Sequence, residues 1–292
     1  MNNERRQVWI FGEVLFDCFP SGEQVLGGAP FNVAWHLQAL GDQPRFISRV
    51  GDDDLGKKIF QAMGKWGMDA ANVQVDTQHP TGQVEINIIN GEPHYTITPD
   101  SAYDFIDAAA VEEPPEKGIF YHGSLCLRNQ VSRRAFFELA QRPELEMFLD
   151  VNLRSPWWRQ EEVFRWLEQA RWVKLNEDEL RQLGFVEADI EKEMGAFLSR
   201  FQLEQLIVTR GGEGAMVVTA DDEFHHVVPE AVDEVVDTVG AGDAFTAVYI
   251  HGLNCSWPVP ETLQMAQRFA SAVIGQRGAI STDIDFYRHF VD

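Results

Sequence analysis

The chain has 292 residues, 45% of them hydrophobic and 24% charged, which is enough apolar material for one large core and excludes a disordered or collagen-like polymer. Lys and Arg total 24 against 46 Asp and Glu, a formal net charge of -22. That field repels phosphate backbones and anionic membranes and argues against nucleic acid as a main partner, although a small polyanion such as a nucleotide can still bind where helix N-termini, backbone amides or a cation reverse the potential locally. No window approaches the roughly 18 uninterrupted apolar residues of a membrane helix, and the N-terminal residues lead straight into a strand-like run rather than an apolar leader, so a cytoplasmic protein with no membrane partner is expected. The three cysteines, Cys18, Cys126 and Cys255, are widely spaced and form no CxxC pair, and are read as reduced. No HExxH occurs, and the adjacent His225 and His226 would face opposite ways on a strand, so zinc chemistry is not expected.

In chain order, short apolar runs alternate with amphipathic stretches. Residues 8–11 read as a strand, 31–40 as a helix, 45–50 as a strand and 55–66 as a helix. Further on come strands over 118–122, 146–151, 172–175 and 205–209, with helices over 132–141 and 161–170. Repeated βα units predict a mostly parallel sheet between helical layers, and no repeat or low-complexity linker divides the chain, so one domain over 1–292 is expected. One stretch breaks the rhythm. Residues 81–89 alternate polar and apolar, then Asn90-Gly91 precedes Tyr95-Thr96-Ile97-Thr98, the signature of a β-hairpin. Such a hairpin needs a partner strand, and residues 15–19 are available, so strands from about 13–26 and 81–100 are expected to form a small sheet beside the main body. A lid and a decorative surface hairpin are equally compatible with that pattern.

The sharpest local signal is Asp237-Thr238-Val239-Gly240-Ala241-Gly242-Asp243, which follows a strand-like run ending at Val236 and opens a helix through about Leu253. Small residues at a helix start let the amides of Gly240, Ala241 and Gly242 converge on an anion. Beside such a hole Asp243 can take a proton from a hydroxyl attacking a phosphoryl group, or can merely cap the helix. A dinucleotide fingerprint fails because Phe245 stands at the third glycine position, and no Walker A loop occurs. Thr209-Arg210-Gly211-Gly212-Glu213-Gly214 is a second glycine-rich turn between strand-like runs, by itself an ordinary connection. Gly27-Gly28-Ala29-Pro30-Phe31-Asn32 precedes a helix, where the glycines permit close approach and Asn32 offers donor and acceptor. Asp150, Asn152 and Arg154 share a face at a strand's end, where open parallel sheets bind ligands. Asn176-Glu177-Asp178-Glu179 starts a helix and reads first as capping.

Together these motifs, in this order, resemble the PfkB/ribokinase family of carbohydrate kinases over essentially the whole chain. Within it the chain is most similar to fructokinases, through Gly12-Glu13-Val14-Leu15-Phe16-Asp17, Asp150-Val151-Asn152-Leu153-Arg154 and Lys174-Leu175-Asn176-Glu177-Asp178-Glu179-Leu180. The resemblance implies a ribokinase-like three-layer α/β/α sandwich with a mostly parallel central sheet and a small β-sheet lid, binding ATP and Mg²⁺. It implies Asp243 as general base with Gly240, Ala241 and Gly242 as the anion hole, and Asp17, Gly28, Asn32, Asn152 and Arg154 at the sugar. Asn176, Thr209, Gly211, Gly212 and Gly214 would line the ATP site, and Glu179 would order Mg²⁺ through water. Asp237, Val239, Val273, Gln276, Gly278 and Thr282 fall where relatives hold a monovalent cation such as K⁺, and the lid strands could pair two subunits into a homodimer. The expected reaction is transfer of the γ-phosphoryl group of ATP to a primary hydroxyl of a neutral sugar, fructose to fructose 6-phosphate. A sugar-acid kinase acting on 2-keto-3-deoxygluconate shares nearly every motif; the absence of Arg from residues 94–100 favours a neutral sugar, while Arg154 keeps the acid in view. A noncatalytic sugar or nucleotide sensor of the same fold is the alternative from another class.

Overall fold

The computed structural model describes residues 6–89, 92–112, 117–229 and 235–290. Its N-terminal half runs β1 (Gln7–Phe11), β2 (Leu15–Cys18), β3 (Gln24–Gly27), α1 (Ala29–Ala39), β4 (Arg45–Gly51), α2 (Asp54–Trp66), β5 (Val73–Asp76), β6 (Gly82–Ile89), β7 (Glu92–Ile97) and β8 (Gly118–His122). There follow α3 (Gln130–Ala140), β9 (Leu145–Asp150), α4 (Gln160–Leu167), β10 (Trp172–Asn176), α5 (Glu177–Gln182), α6 (Ile190–Phe201), β11 (Gln205–Thr209), β12 (Ala215–Thr219), β13 (Phe224–Val227), α7 (Ala241–Cys255), α8 (Val259–Val273) and α9 (Ile284–Tyr287).

Nine strands form the main sheet in the order β13-β12-β11-β10-β9-β8-β1-β4-β5, parallel except where β12 runs antiparallel to both β11 and β13. Its central strands, such as β1 and β8, are buried almost throughout because both faces are covered. In β1, Val8 and Ile10 join a core with α1, α2, α7 and α8, while Trp9 and Phe11 join a second core with α3 to α6. This is the mixed α/β sandwich that the alternation predicts.

Helix ends follow local chemistry. Asp53 caps α2 by accepting from Gly56 N, and Gly67 closes it in the left-handed region that glycine adopts freely. Helix α1 begins at Gly28 with Pro30 in its first turn and is buried from Pro30 to Leu37, so it lies against the sheet rather than beside it. Observed boundaries lie within about three residues of the predicted ones, as expected where helix ends fray.

A second sheet, in the order β3-β2-β6-β7, pairs β2 with β6 in parallel and β6 with β7 as a hairpin. The expected partner strand is thus present; the Asn90-Gly91 turn lies outside the described residues. One expectation fails. The run ending at Val236 is expected to be a strand, but its described end is not, because residues 235–238 are irregular and Val235 and Val236 are exposed. Apolar β-branched residues suit a strand only where a neighbouring strand pairs with them. Here Val236 N and Asp237 N instead donate to Ile274 O after α8. No helix among the described residues is long and apolar enough to cross a membrane.

Candidate active site

The C-terminal ends of the parallel strands β1, β9, β10 and β11, together with the second sheet, line one large cavity. Its volume is about 850 Å³, and its walls include Glu13, Asp17, Gly28, Asn32, Asn152, Arg154, Asn176, Glu179, Thr209, Gly240, Gly242 and Asp243. That size suits a small molecule, and its place at the C-terminal ends of parallel strands is where open α/β sheets bind ligands.

Asp243 sits in the first turn of α7, whose N-cap Gly240 has φ 81° and whose Cβ, if present, would overlap Ala279. Glycine is required there on both counts. Asn32 Nδ2 donates to Asp243 Oδ2 at 2.8 Å, joining α1 to α7 and leaving Oδ1 free for a ligand. Burial pushes the Asp243 carboxyl up to about 6; the Asn32 hydrogen bond and the charges of Lys174 and Arg154 oppose that rise, and Asp150 adds to it. Within the helix, Gly242 and Asp243 have no acceptor one turn back, so their N–H groups face outward. Ala241 departs from expectation: it is not on the cavity wall, and its N–H is directed at Thr238 O at 3.4 Å.

Beneath this turn lies a buried charge pair that the sequence reading did not single out. Lys174 Nζ and Asp150 Oδ2 are 2.8 Å apart on neighbouring strands in direct register, and Thr246 Oγ1 donates to the same carboxylate oxygen. A Cβ on Gly242 would lie 3.4 Å from Lys174 Nζ, so the ammonium sits directly under the helix start. The available signal was a lysine inside the apolar run Trp172-Val173-Lys174-Leu175, where a charge is stable only if paired. Asp150 ends β9, whereas Asn152 (φ 39°) and Arg154 lie beyond it, so strand alternation does not place them; all three nevertheless reach the cavity.

The expected nucleotide residues divide. Asn176 and Glu179 form a capping box on α5, with Asn176 Oδ1 accepting from Glu179 N and Glu179 Oε2 from Asn176 N. Glu179 Oε1 also accepts from Leu153 N, and burial raises its pKa. Capping is therefore real, yet both residues also line the cavity, and each Glu179 oxygen retains a lone pair for a water of a cation's shell. Thr209 lines the cavity, but Gly211, Gly212 and Gly214 sit on the turn joining β11 to β12, outside its wall.

Of the positions expected around a monovalent cation, Asp237, Val239 and Gly278 line the cavity and are tied together, Asp237 Oδ1 accepting from Val239 N and Oδ2 from Gly278 N. Val273 is a core residue whose carbonyl accepts from Gln276 N, Gln276 is off the wall with Nε2 buried, and Thr282 is exposed. Of the six positions, three therefore line the cavity and three do not. No cluster of three or more His, Cys, Asp or Glu suited to a metal occurs among the described residues.

At the other end, Asp17 on β2 is raised to about 6, by burial first and by Asp237 second. The second sheet contributes Val84, Ile86, Tyr95 and Ile97 to the cavity wall, the apolar positions of the alternating pattern. Glu85 and Asn87 face out, as alternation demands. Arg277 pairs with Glu23 and Lys174 with Asp150, so Arg154 is the cavity cation with no carboxylate partner among the described residues.

The model of the pfkB family of carbohydrate kinases matches residues 8–285. The chain belongs to that family. It is 28% identical to the fructokinase of Escherichia coli, covering 94% of this chain and 95% of the relative. It is 29% identical to the aminoimidazole riboside kinase of Salmonella typhimurium, over 94% and 91% of the two chains. A fructokinase of Vibrio cholerae, solved with fructose, ADP and calcium, superposes with a TM-score of 0.84 at 26% identity over 99% of both chains. The ribokinase-like fold and ATP-dependent sugar phosphorylation are thereby established for this family member, with a sugar and a nucleotide as its substrates.

Proposed function

We propose that this kinase phosphorylates the 6-hydroxyl of fructose, with Asp243 as general base. The observation that carries the proposal is the Asn32–Asp243 hydrogen bond at the start of α7, beside the glycine turn and at the floor of the cavity. Asn32 occupies Oδ2, so a sugar hydroxyl is directed to Oδ1, and a base titrating at about 6 is ionised at neutral pH yet basic enough to accept a proton. The N–H groups of Gly242 and Asp243, the positive end of α7 and the ammonium of Lys174 favour negative charge on the transferring phosphoryl group. Asp17, Gly28, Asn32, Asn152 and Arg154 surround the sugar, while Asn176 and Thr209 face the nucleotide. Mg²⁺, when bound, would neutralise phosphate charge, and Glu179 with Asn176 are the residues suited to hold it through water. The second sheet acts as the lid, its apolar inner face excluding water that would otherwise compete for the phosphoryl group.

Support for fructose comes from the fructokinases of E. coli and V. cholerae and from the carboxylates of the cavity, which suit hydroxyls and oppose a sugar acid. Two other substrates each have one observation in favour. The apolar lid face around Tyr95 would suit a riboside, as in the Salmonella relative, and unpaired Arg154 would suit a carboxylated sugar. ADP release measured with fructose, aldoses, 2-keto-3-deoxygluconate and aminoimidazole riboside separates them: fructose should give the highest kcat/KM, and another winner keeps the base but replaces the substrate. No sugar-dependent ADP from folded enzyme would remove the kinase reading in favour of a sensor.

A further inference from the structure

Glu13 lies two residues beyond β1 and lines the cavity at only 4% exposure, yet its Oε2 has no hydrogen-bond partner among the described residues. Its backbone is locked: a Cβ on Gly28 would come within 2.7 Å of Glu13 O, so the glycine turn and the Glu13 main chain are packed against each other. Neighbouring charges do not satisfy it. Arg154 and Arg128 lie within electrostatic reach, but neither donates a hydrogen bond to it: Arg128 spends Nε and Nη2 on Asp104 and Nη2 on Thr98 O while its Nη1 has no partner among the described residues, and Arg154 donates to Leu153 O. Leaving a buried carboxyl unmet is costly, and evolution of a merely structural residue would favour an apolar side chain of the same shape. A polyol hydroxyl satisfies this group in either protonation state, accepting from the acid or donating to the carboxylate.

We infer that Glu13 is a further substrate-binding residue, which hydrogen-bonds one hydroxyl of a neutral polyol and selects for that hydroxyl against analogues lacking it. The inference rests on the sugar-kinase reading of the same cavity. Asp17, Asn32 and Asp243 then engage the other hydroxyls, and Glu13 discriminates because removing its partner restores the unmet buried group. It also adds a further obstacle to an anionic sugar.

The test pairs enzyme variants with singly deoxygenated forms of whichever sugar the wild type turns over best. Glu13→Ala should raise the KM for that sugar about 30-fold or more and Glu13→Gln about 10-fold, with the KM for ATP unchanged. For one deoxy sugar, and one only, the wild type should lose its advantage, the ratio of KM values between Glu13→Ala and wild type falling to about 1. An unchanged sugar KM in both variants, or an equal penalty for every deoxy sugar, overturns the inference and makes Glu13 structural. Glu13→Gln retains the shape and deletes a buried charge, so thermal unfolding confirms that it is folded before kinetics are read. A wild type inactive on every polyol overturns the kinase reading itself, a result recognisable because it appears before any variant is made.

Discussion

Two groups of carboxylates in this molecule are held in opposite senses. At the edge of the main sheet, Asp53 accepts from Gly56 N, Thr81 N and Thr81 Oγ1, and Asp76 accepts from Gln78 N and His79 N and forms an ion pair with the Arg49 guanidinium. Burial acts upward on both, but these hydrogen bonds outweigh it and their pKa values fall below the ordinary range. Around the cavity, burial wins instead: Glu13 rises to about 7 and Asp17 and Asp243 to about 6. The first group is met by donors and stabilises the fold; the second keeps lone pairs unmet, a local instability that a bound sugar can relieve.

The comparison breaks most visibly at Asp243. Asp243→Asn should lower kcat by about 10² to 10⁴-fold, measured as sugar-dependent ADP release, while leaving the protein at least as stable. A loss under tenfold would move Asp243 from the second group to the role of a helix cap. Asp76→Ala should do the reverse. It strands the Arg49 guanidinium and two backbone N–H groups, costing about 3 kcal/mol in a denaturant titration, with kcat per folded molecule unchanged. Asp53→Ala should cost about 1–2 kcal/mol by removing the α2 cap and the anchor of Thr81.

The smallest effect is the most diagnostic of the contrast. Folding raises the cavity carboxyls, so the native state favours their protonated forms; the stability they contribute is complete below about pH 4 and lost as pH rises through 6 to 7. For Asp53 and Asp76 the sign is opposite, stability being present above the ordinary carboxylate range and lost on acidification. Asp243→Asn should therefore raise Tm by a few degrees more at pH 8 than at pH 5, and Asp53→Ala should lower it more at pH 8 than at pH 3. The acid limb of kcat for the wild type should fall near pH 6, where the base becomes protonated.

The main sheet was legible because burial on both faces writes continuous apolar runs, as in Val8-Trp9-Ile10-Phe11, and the hairpin because Val84 and Ile86 alternate with Glu85 and Asn87. Asp243 and Asn32 were legible as motif residues, but their mutual hydrogen bond joins positions 211 residues apart and has no local signal. The pairing of Lys174 with Asp150 escaped notice for the same reason: only the β9–β10 register makes them partners. Val235 and Val236 misled because composition cannot say whether a neighbouring strand exists, and the carbonyl of Ile274 took the hydrogen bonds a strand would have made. Glu13 lay inside a quoted motif, but burial without a partner is a property of the folded cavity alone.

The junction between α1 and α7 also bears on how this enzyme is made. Besides the Asn32–Asp243 bond, α1 is tied to the segment after α8, where Trp35 donates to Ser281 O and His36, kept neutral by burial, joins Ala279 O to the Tyr287 hydroxyl. At a synthesis rate of about 5–20 residues per second, Asn32 waits roughly 10–40 s on the ribosome for the aspartate it will hold. A growing chain therefore lacks the Asn32–Asp243 hydrogen bond for most of its synthesis. The cavity end that this contact builds is thus completed only when the chain is nearly whole.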